Sequence, residues 1–224
     1  MASLSEVAPL LAVVGRSFHA RGWAFATAGN FSAVLTREPL VIAISRSGVD
    51  KGRISASDFL EVDDKGVVVG GDGTPSAETV VHLAVVGERG AGAVLHTHSI
   101  WNTLVSEAAG AEGGVALEGY EMLKGLAGVT THEHREWVPI IENTQDYEEM
   151  IRDVKAVLGL NPQAHALLLR GHGLYTWGRD LEEAQRHVEV LEFLLEVEGR
   201  LYASSGKLKA KAAGAAEGGR DGDR

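Results

Sequence analysis

The chain has no cysteine among its 224 residues. That excludes a disulfide framework and any thiolate metal site, so a metal would have to be held by His, Asp, Glu and carbonyl or water oxygens. Positive charge is also scarce: 21 Lys and Arg stand against 31 Asp and Glu, a formal net charge of −10. No basic stripe is available to draw a nucleic-acid backbone, which argues against nucleic-acid binding. An anionic substrate would need a local pocket of backbone N–H groups and a few cations. No apolar run approaches the roughly 18 residues of a membrane span. The opening MASLSEVAPLL lacks the basic stretch that precedes the apolar part of a secretory signal. The expectation is a cytoplasmic protein with neither membrane nor nucleic acid as partner.

What is there suits a soluble globular protein. The composition is 45% hydrophobic and 23% charged, enough apolar material for a sizeable core without staples. Leu10, Val13, Val14 and Phe18 recur at helical spacing within 4–21 and stop at Gly22, which predicts an amphipathic helix. FSAVLT and LVIAIS predict a hairpin around REP, and ASDFLEVDDKGVVVGG a capped turn with two short strands. Helices are expected over 77–86, in IWNTLVSEAAG, in NTQDYEEMIRDVKAVLGLNP and through RDLEEAQRHVEVLEFLLEVEGRLYASS. GYEMLKGLAG predicts a short helix or turn. AGAVLHTHS, WVPIIE, HALLL and GLYTWG predict strands. This order predicts one mixed α/β domain over residues 1–205, with helices packed on a sheet. Residues 206–224, rich in Lys, Ala, Gly and Glu, have little to bury and predict a disordered tail.

The chemistry concentrates in a few places. His96 and His98 end a buried strand in GAVLHTHS, and residues i and i+2 of a strand point to one face. The pair alone admits two readings: polar residues leaving the core, or two ligands to one metal. His172, in LLLRGHGLYTW, follows a second buried strand and is flanked by glycines that let something approach closely. Three histidines at the ends of core strands fit a catalytic metal with an open fourth position. Glu78 and His82 share a helix face at i and i+4; for His82 a surface or helix-stabilising pair is the expected role. Glu121 in GYEMLKG reads, on spacing, as a solvated glutamate. Three loops offer small residues and N–H groups for a phosphate: TAGNFS with Asn30, SRSGVDKG with Ser47, Gly48 and Lys51, and TPSAE with Ser76.

Taken together, GNFS, SRSG, PSAE, HTHS and GHG, in this order, resemble the class II aldolase/adducin family over about residues 4–203. YEMLKG and PIIENTQD are similar to its dehydratase members rather than to its sugar-phosphate aldolases. The resemblance implies a three-layer α/β/α domain around a mostly antiparallel sheet. It implies one Zn2+ per subunit on His96, His98 and His172, and a homotetramer with sites between subunits. It implies Glu121 as general acid/base and Glu78 as a second carboxylate, the base of the aldolases. Asn30, Ser47, Gly48, Lys51 and Ser76 match the positions that line the phosphate pocket. The implied activity is dehydration of a methylthio-substituted pentulose phosphate in methionine salvage. The alternatives are a fuculose- or rhamnulose-phosphate type aldolase, with Glu78 as base, and a non-catalytic, adducin-like interaction module.

Overall fold

The computed structural model describes residues 2–205; the predicted tail lies outside them. The strands are β1 (Asn30–Arg37), β2 (Leu40–Ser45), β3 (Phe59–Asp63), β4 (Val68–Gly70), β5 (Ala93–Thr97), β6 (Gly114–Glu118), β7 (Arg135–Ile141), β8 (Ala166–Leu169) and β9 (Gly173–Gly178). They form one sheet in the order β4-β3-β2-β1-β5-β9-β8-β7-β6. Neighbours are antiparallel except β7 and β8, which are parallel. The helices are α1 (Leu4–Ala20), α2 (Thr79–Arg89), α3 (Ile100–Ala109), α4 (Tyr147–Leu160) and α5 (Leu181–Ser205).

The side-chain alternation of the strands sorts these helices into two layers. Phe31, Ala33 and Leu35 of β1 and Ala93 and Leu95 of β5 pack with α1 and α5, and this core continues through Val105 of α3 and Leu191 of α5. On the other face Val94, Leu167, Leu169, Tyr175 and Trp177 pack with Val81 and Val85 of α2 and Val154 and Leu158 of α4. The result is three layers, α/β/α, around a mostly antiparallel sheet. β5, β8 and β9 are buried on both faces, which is why AVL, ALLL and LYTW read as continuous apolar runs.

Two local differences from the sequence reading have simple causes. β6 was not expected, because GVALE is short and follows the turn-rich AEGG. α2 begins at Thr79 rather than 77, because Pro75 bridges Arg46 and Thr79 Oγ1 donates to the Ser76 carbonyl, so the chain from 75 to 78 is spent on the turn. Among the described residues no helix is long and apolar enough to cross a membrane.

Candidate metal centre

His96 lies on β5 in register with Asn30 of β1 and Tyr175 of β9. By alternation it shares a face with Val94 and looks toward the α2 layer, while Thr97 looks toward the α5 layer. His98 follows β5 and faces the same way as His96, with ring centroids 4.4 Å apart. His172 sits in the turn between β8 and β9, and its ring lies 5.1 Å from His96 and 4.6 Å from His98. Gly173 lets β9 come close: a Cβ there would stand 2.4 Å from the Thr97 carbonyl oxygen and 2.7 Å from His96 Cε1. The close approach is therefore between two strands rather than to a ligand.

Glu78, immediately before α2, completes the group. One ligand atom from each of Glu78, His96, His98 and His172 lies within 4.8 Å of all the others, so the group can hold a metal ion. The donor chemistry fits a divalent cation. His96 Nδ1 faces the Leu174 carbonyl at 3.0 Å and His172 Nδ1 faces Asn143 Oδ1 at 3.2 Å. Each acceptor holds the proton on Nδ1 and turns the Nε2 lone pair inward, the arrangement that orients ligating imidazoles. His96 Nε2 and His98 Nε2 are 2.7 Å apart, close enough that their lone pairs need a proton or a cation between them. Protons are disfavoured: burial and then the neighbouring His98 push His96 well below its ordinary value, and burial and then His172 push His98 down to about 4.

Glu78 is held ionised. Burial alone would raise its pKa, but the electrostatic pull of the facing His96 and His172 rings and the hydrogen bond donated by Asn30 outweigh it and place it well below the usual carboxylate range. His172 Nε2 is 3.0 Å from Glu78 Oε1, and Asn30 Nδ2 donates to Glu78 Oε2 at 2.5 Å. Asn30 is itself oriented by His82, whose Nε2 donates to Asn30 Oδ1 at 2.5 Å while its Nδ1 faces Ser32 Oγ at 2.7 Å. His82 is fully buried and pushed down to about 4 by that burial, so it acts as a neutral donor. This corrects the expectation of a surface pair. The i+4 spacing from Glu78 was visible in sequence, but the strand partners Ser32 and Asn30 were not. Tyr175 was also missed: its ring stacks on His96 at 3.9 Å and 12°.

The phosphate candidates converge beside this group. Asn30, Ser47, Gly48, Lys51, Ser76, Glu78 and His98 line a cavity of about 120 Å³. Lys51 Nζ donates to the carbonyls of Thr27 and Val49, both at 3.0 Å, which leaves one of its three donors for a ligand. Burial lowers its pKa to about 8.

Glu121 is not brought to this group. It lies on a short 3-10 turn (Glu121–Gly125) after β6, its side chain is 72% exposed, and it pairs with Lys124. β6 runs antiparallel to β7, with Glu118 opposite Arg135 at the start of β7, while Asn143 beside His172 follows the end of β7. β7 has seven residues, about 20 Å of strand at roughly 3.3 Å per residue. Glu121 therefore leaves the sheet at the rim opposite the histidines of its own chain.

Comparison with known proteins agrees with this architecture. Residues 10–198 match the family Class II Aldolase and Adducin N-terminal domain. Methylthioribulose-1-phosphate dehydratase of Sorangium cellulosum (strain So ce56) is 43% identical over 197 residues, covering 87% of this chain and 92% of that protein. The protein of the same name from Marinobacter nauticus is 41% identical over 185 residues, covering 82% and 88%. Among solved structures, l-fuculose-1-phosphate aldolase from Thermus thermophilus superposes with a TM-score of 0.71 at 27% identity, covering 92% of this chain and 98% of that one.

Proposed function

Because the chain belongs to the class II aldolase and adducin family, we propose that it is a lyase of the dehydratase kind, acting in methionine salvage. Its substrate is 5-methylthioribulose 1-phosphate, and its product is 2,3-diketo-5-methylthiopentyl 1-phosphate plus water. The observation that carries the reading is the Glu78, His96, His98 and His172 group opening beside a small polar cavity with a buried lysine. Residues 1–205 are the catalytic domain, in a cytoplasmic setting.

His96, His98 and His172 would hold one Zn2+, the metal that three imidazoles and an open position suit. Bound there, the cation supplies Lewis acidity toward a carbonyl oxygen, worth several kcal/mol of developing negative charge. The chain's own groups do the rest. Ser47, Gly48, Lys51, Asn30 and Ser76 bind the phosphate, and this fixes the far end of the sugar and presents C3 and C4 to the carboxylates. The C3 proton is acidified by the adjacent C2 ketone, and a carboxylate takes it. The same group, now an acid, protonates the C4 hydroxyl as it leaves, so the elements of water are lost and the resulting enol becomes the diketone. Each such proton transfer contributes roughly 10²–10⁴-fold.

Glu121 is the proposed acid/base, in keeping with its match to the dehydratases. Its rim position supports a site assembled between subunits of a homotetramer, with Glu121 supplied by another copy. Glu78 is ionised and within the metal group, so its role is to complete and orient the centre. The test is product analysis of metal-loaded protein: loss of one water from the intact sugar phosphate supports the reading. Release of a triose phosphate or of lactaldehyde from fuculose or rhamnulose phosphate would replace it with the aldolase reading, which the placement of Glu78 favours.

A further inference from the structure

Thr97 ends β5 between His96 and His98, and its side chain enters the opposite helical layer, where it meets a carboxyl group. Glu192 of α5 is 2% exposed, and its Oε1 accepts from Thr97 Oγ1 at 2.5 Å and from Asn102 Nδ2 at 3.0 Å. Asn102 Nδ2 also reaches the Thr97 carbonyl at 3.2 Å, and the Asn102 backbone N–H donates to Ser99 Oγ at 3.0 Å, which caps α3. A single oxygen of Glu192 thus gathers both sides of the bend His96–Thr97–His98–Ser99. Among the described residues its other oxygen has no hydrogen-bond partner of good geometry, although Ser99 lies near enough to act on the carboxyl group. A buried acid with a poorly paired oxygen is a poor choice for packing alone, since an apolar residue of the same size would avoid the desolvation cost.

We propose that Glu192 is a positioning residue for the metal centre: through Thr97 and Asn102 it fixes the direction in which His96 and His98 leave the strand. Strand side chains alternate, so anchoring Thr97 in the α5 layer obliges both neighbours to face the other way, toward Glu78 and His172. The anchor also fixes how far the strand runs before α3 begins, which sets where His98 stands relative to His96. This role rests on the group holding a divalent cation, and it is independent of which sugar phosphate is the substrate.

The test reads the metal rather than turnover. Zn2+ affinity is measured against a competing chelator, and Co2+ is substituted so that its visible spectrum reports ligand geometry. Thr97→Val removes the hydroxyl while keeping the branched shape, and Thr97→Ser keeps the hydroxyl. Glu192→Ala removes the acceptor, and Glu192→Gln keeps Oε1. Thr97→Val and Glu192→Ala should bind Zn2+ more weakly by up to about tenfold with a changed Co2+ spectrum, the low end of the loss for a partner bonded directly to a ligand, because both act on the imidazoles through the backbone. Thr97→Ser and Glu192→Gln should stay near the parent in both readouts. Unchanged affinity and spectrum in Thr97→Val and Glu192→Ala, even with a lowered melting temperature, would reduce Glu192 to a packing residue. If Glu192→Ala fails to fold, the Thr97 pair decides alone. A parent protein that binds neither Zn2+ nor Co2+ would overturn the premise, a result distinct from indifferent variants.

Discussion

Replacing Asn30 with alanine tests whether the carboxylate of the metal group is held by a buried chain of side chains. The Asn30 amide donates to Glu78 Oε2 and accepts from His82 Nε2, both at 2.5 Å. Losing the donor removes a hydrogen bond to a charged group, worth about 1.5–3 kcal/mol. It also strands the His82 N–H in a fully buried position, which costs about 1–3 kcal/mol. The sum, about 2.5–6 kcal/mol, corresponds to a fall in melting temperature of roughly 5–24 °C at about 2–4 °C per kcal/mol for a chain of this size. The measurement is thermal unfolding of chelator-treated protein, so that bound metal does not mask the loss. His82→Leu, alone and combined with Asn30→Ala, completes a double-mutant cycle. Removing both partners leaves fewer orphaned groups than the single changes predict, so a coupling of about 1–2 kcal/mol is expected. Strictly additive losses would show that Asn30 and His82 do not act together and would refute the chain.

Other consequences are equally direct. His82 is held down to about 4 by burial, against 6.5 ordinarily, so the unfolded chain takes up a proton that the folded protein refuses. The metal-free protein should therefore lose stability as pH falls from about 6.5 to about 4, by up to roughly 1.4 kcal/mol per pH unit for each such histidine; urea midpoints across that range should show it, and His82→Leu should flatten the slope. Lys51→Met should weaken inorganic phosphate and substrate binding by at least about tenfold, the loss of a charge-assisted contact, and a KM unmoved by this change would remove Lys51 from the pocket. Gly173→Ala would set a Cβ 2.4 Å from the Thr97 carbonyl. It should cost about 1–3 kcal/mol as overpacking does and lower Zn2+ content, whereas normal content would mean the strands separate freely there. Mixing Glu121→Gln with His98→Ala subunits should restore part of the dehydratase activity that each lacks; no recovery in a mixed oligomer would contradict a carboxylate supplied by another copy.

Sequence made some of this legible for specific physical reasons. The period of two in a strand is a local property, so His96-Thr97-His98 announced two imidazoles on one face before any fold was known. The same alternation placed Thr97 on the opposite face, but nothing local named Glu192 as what it would meet, 95 residues away. His172 was visible from a buried strand followed by Gly-His-Gly, though the glycine turned out to serve the approach of β9 to β5. His82 was misread because an i,i+4 acid–histidine pair looks the same on a surface as beneath a sheet, and only the sheet order brings Ser32 and Asn30 to it. β6 escaped notice because five residues after a glycine turn carry too little periodicity. Glu121 never rose above a surface glutamate on spacing, and its exposed rim position agrees with that reading for an isolated chain. Its proposed role comes from likeness to the dehydratases and needs a second copy.

The central claim is that the Glu78, His96, His98 and His172 group holds the cation on which dehydration depends. The most direct measurement is turnover of 5-methylthioribulose 1-phosphate by the purified protein as isolated, after chelation, and after Zn2+ is returned. Diketone formation that chelation abolishes and Zn2+ restores is the predicted result. Turnover that survives complete removal of the metal, or no diketone from fully Zn2+-loaded protein, would contradict it.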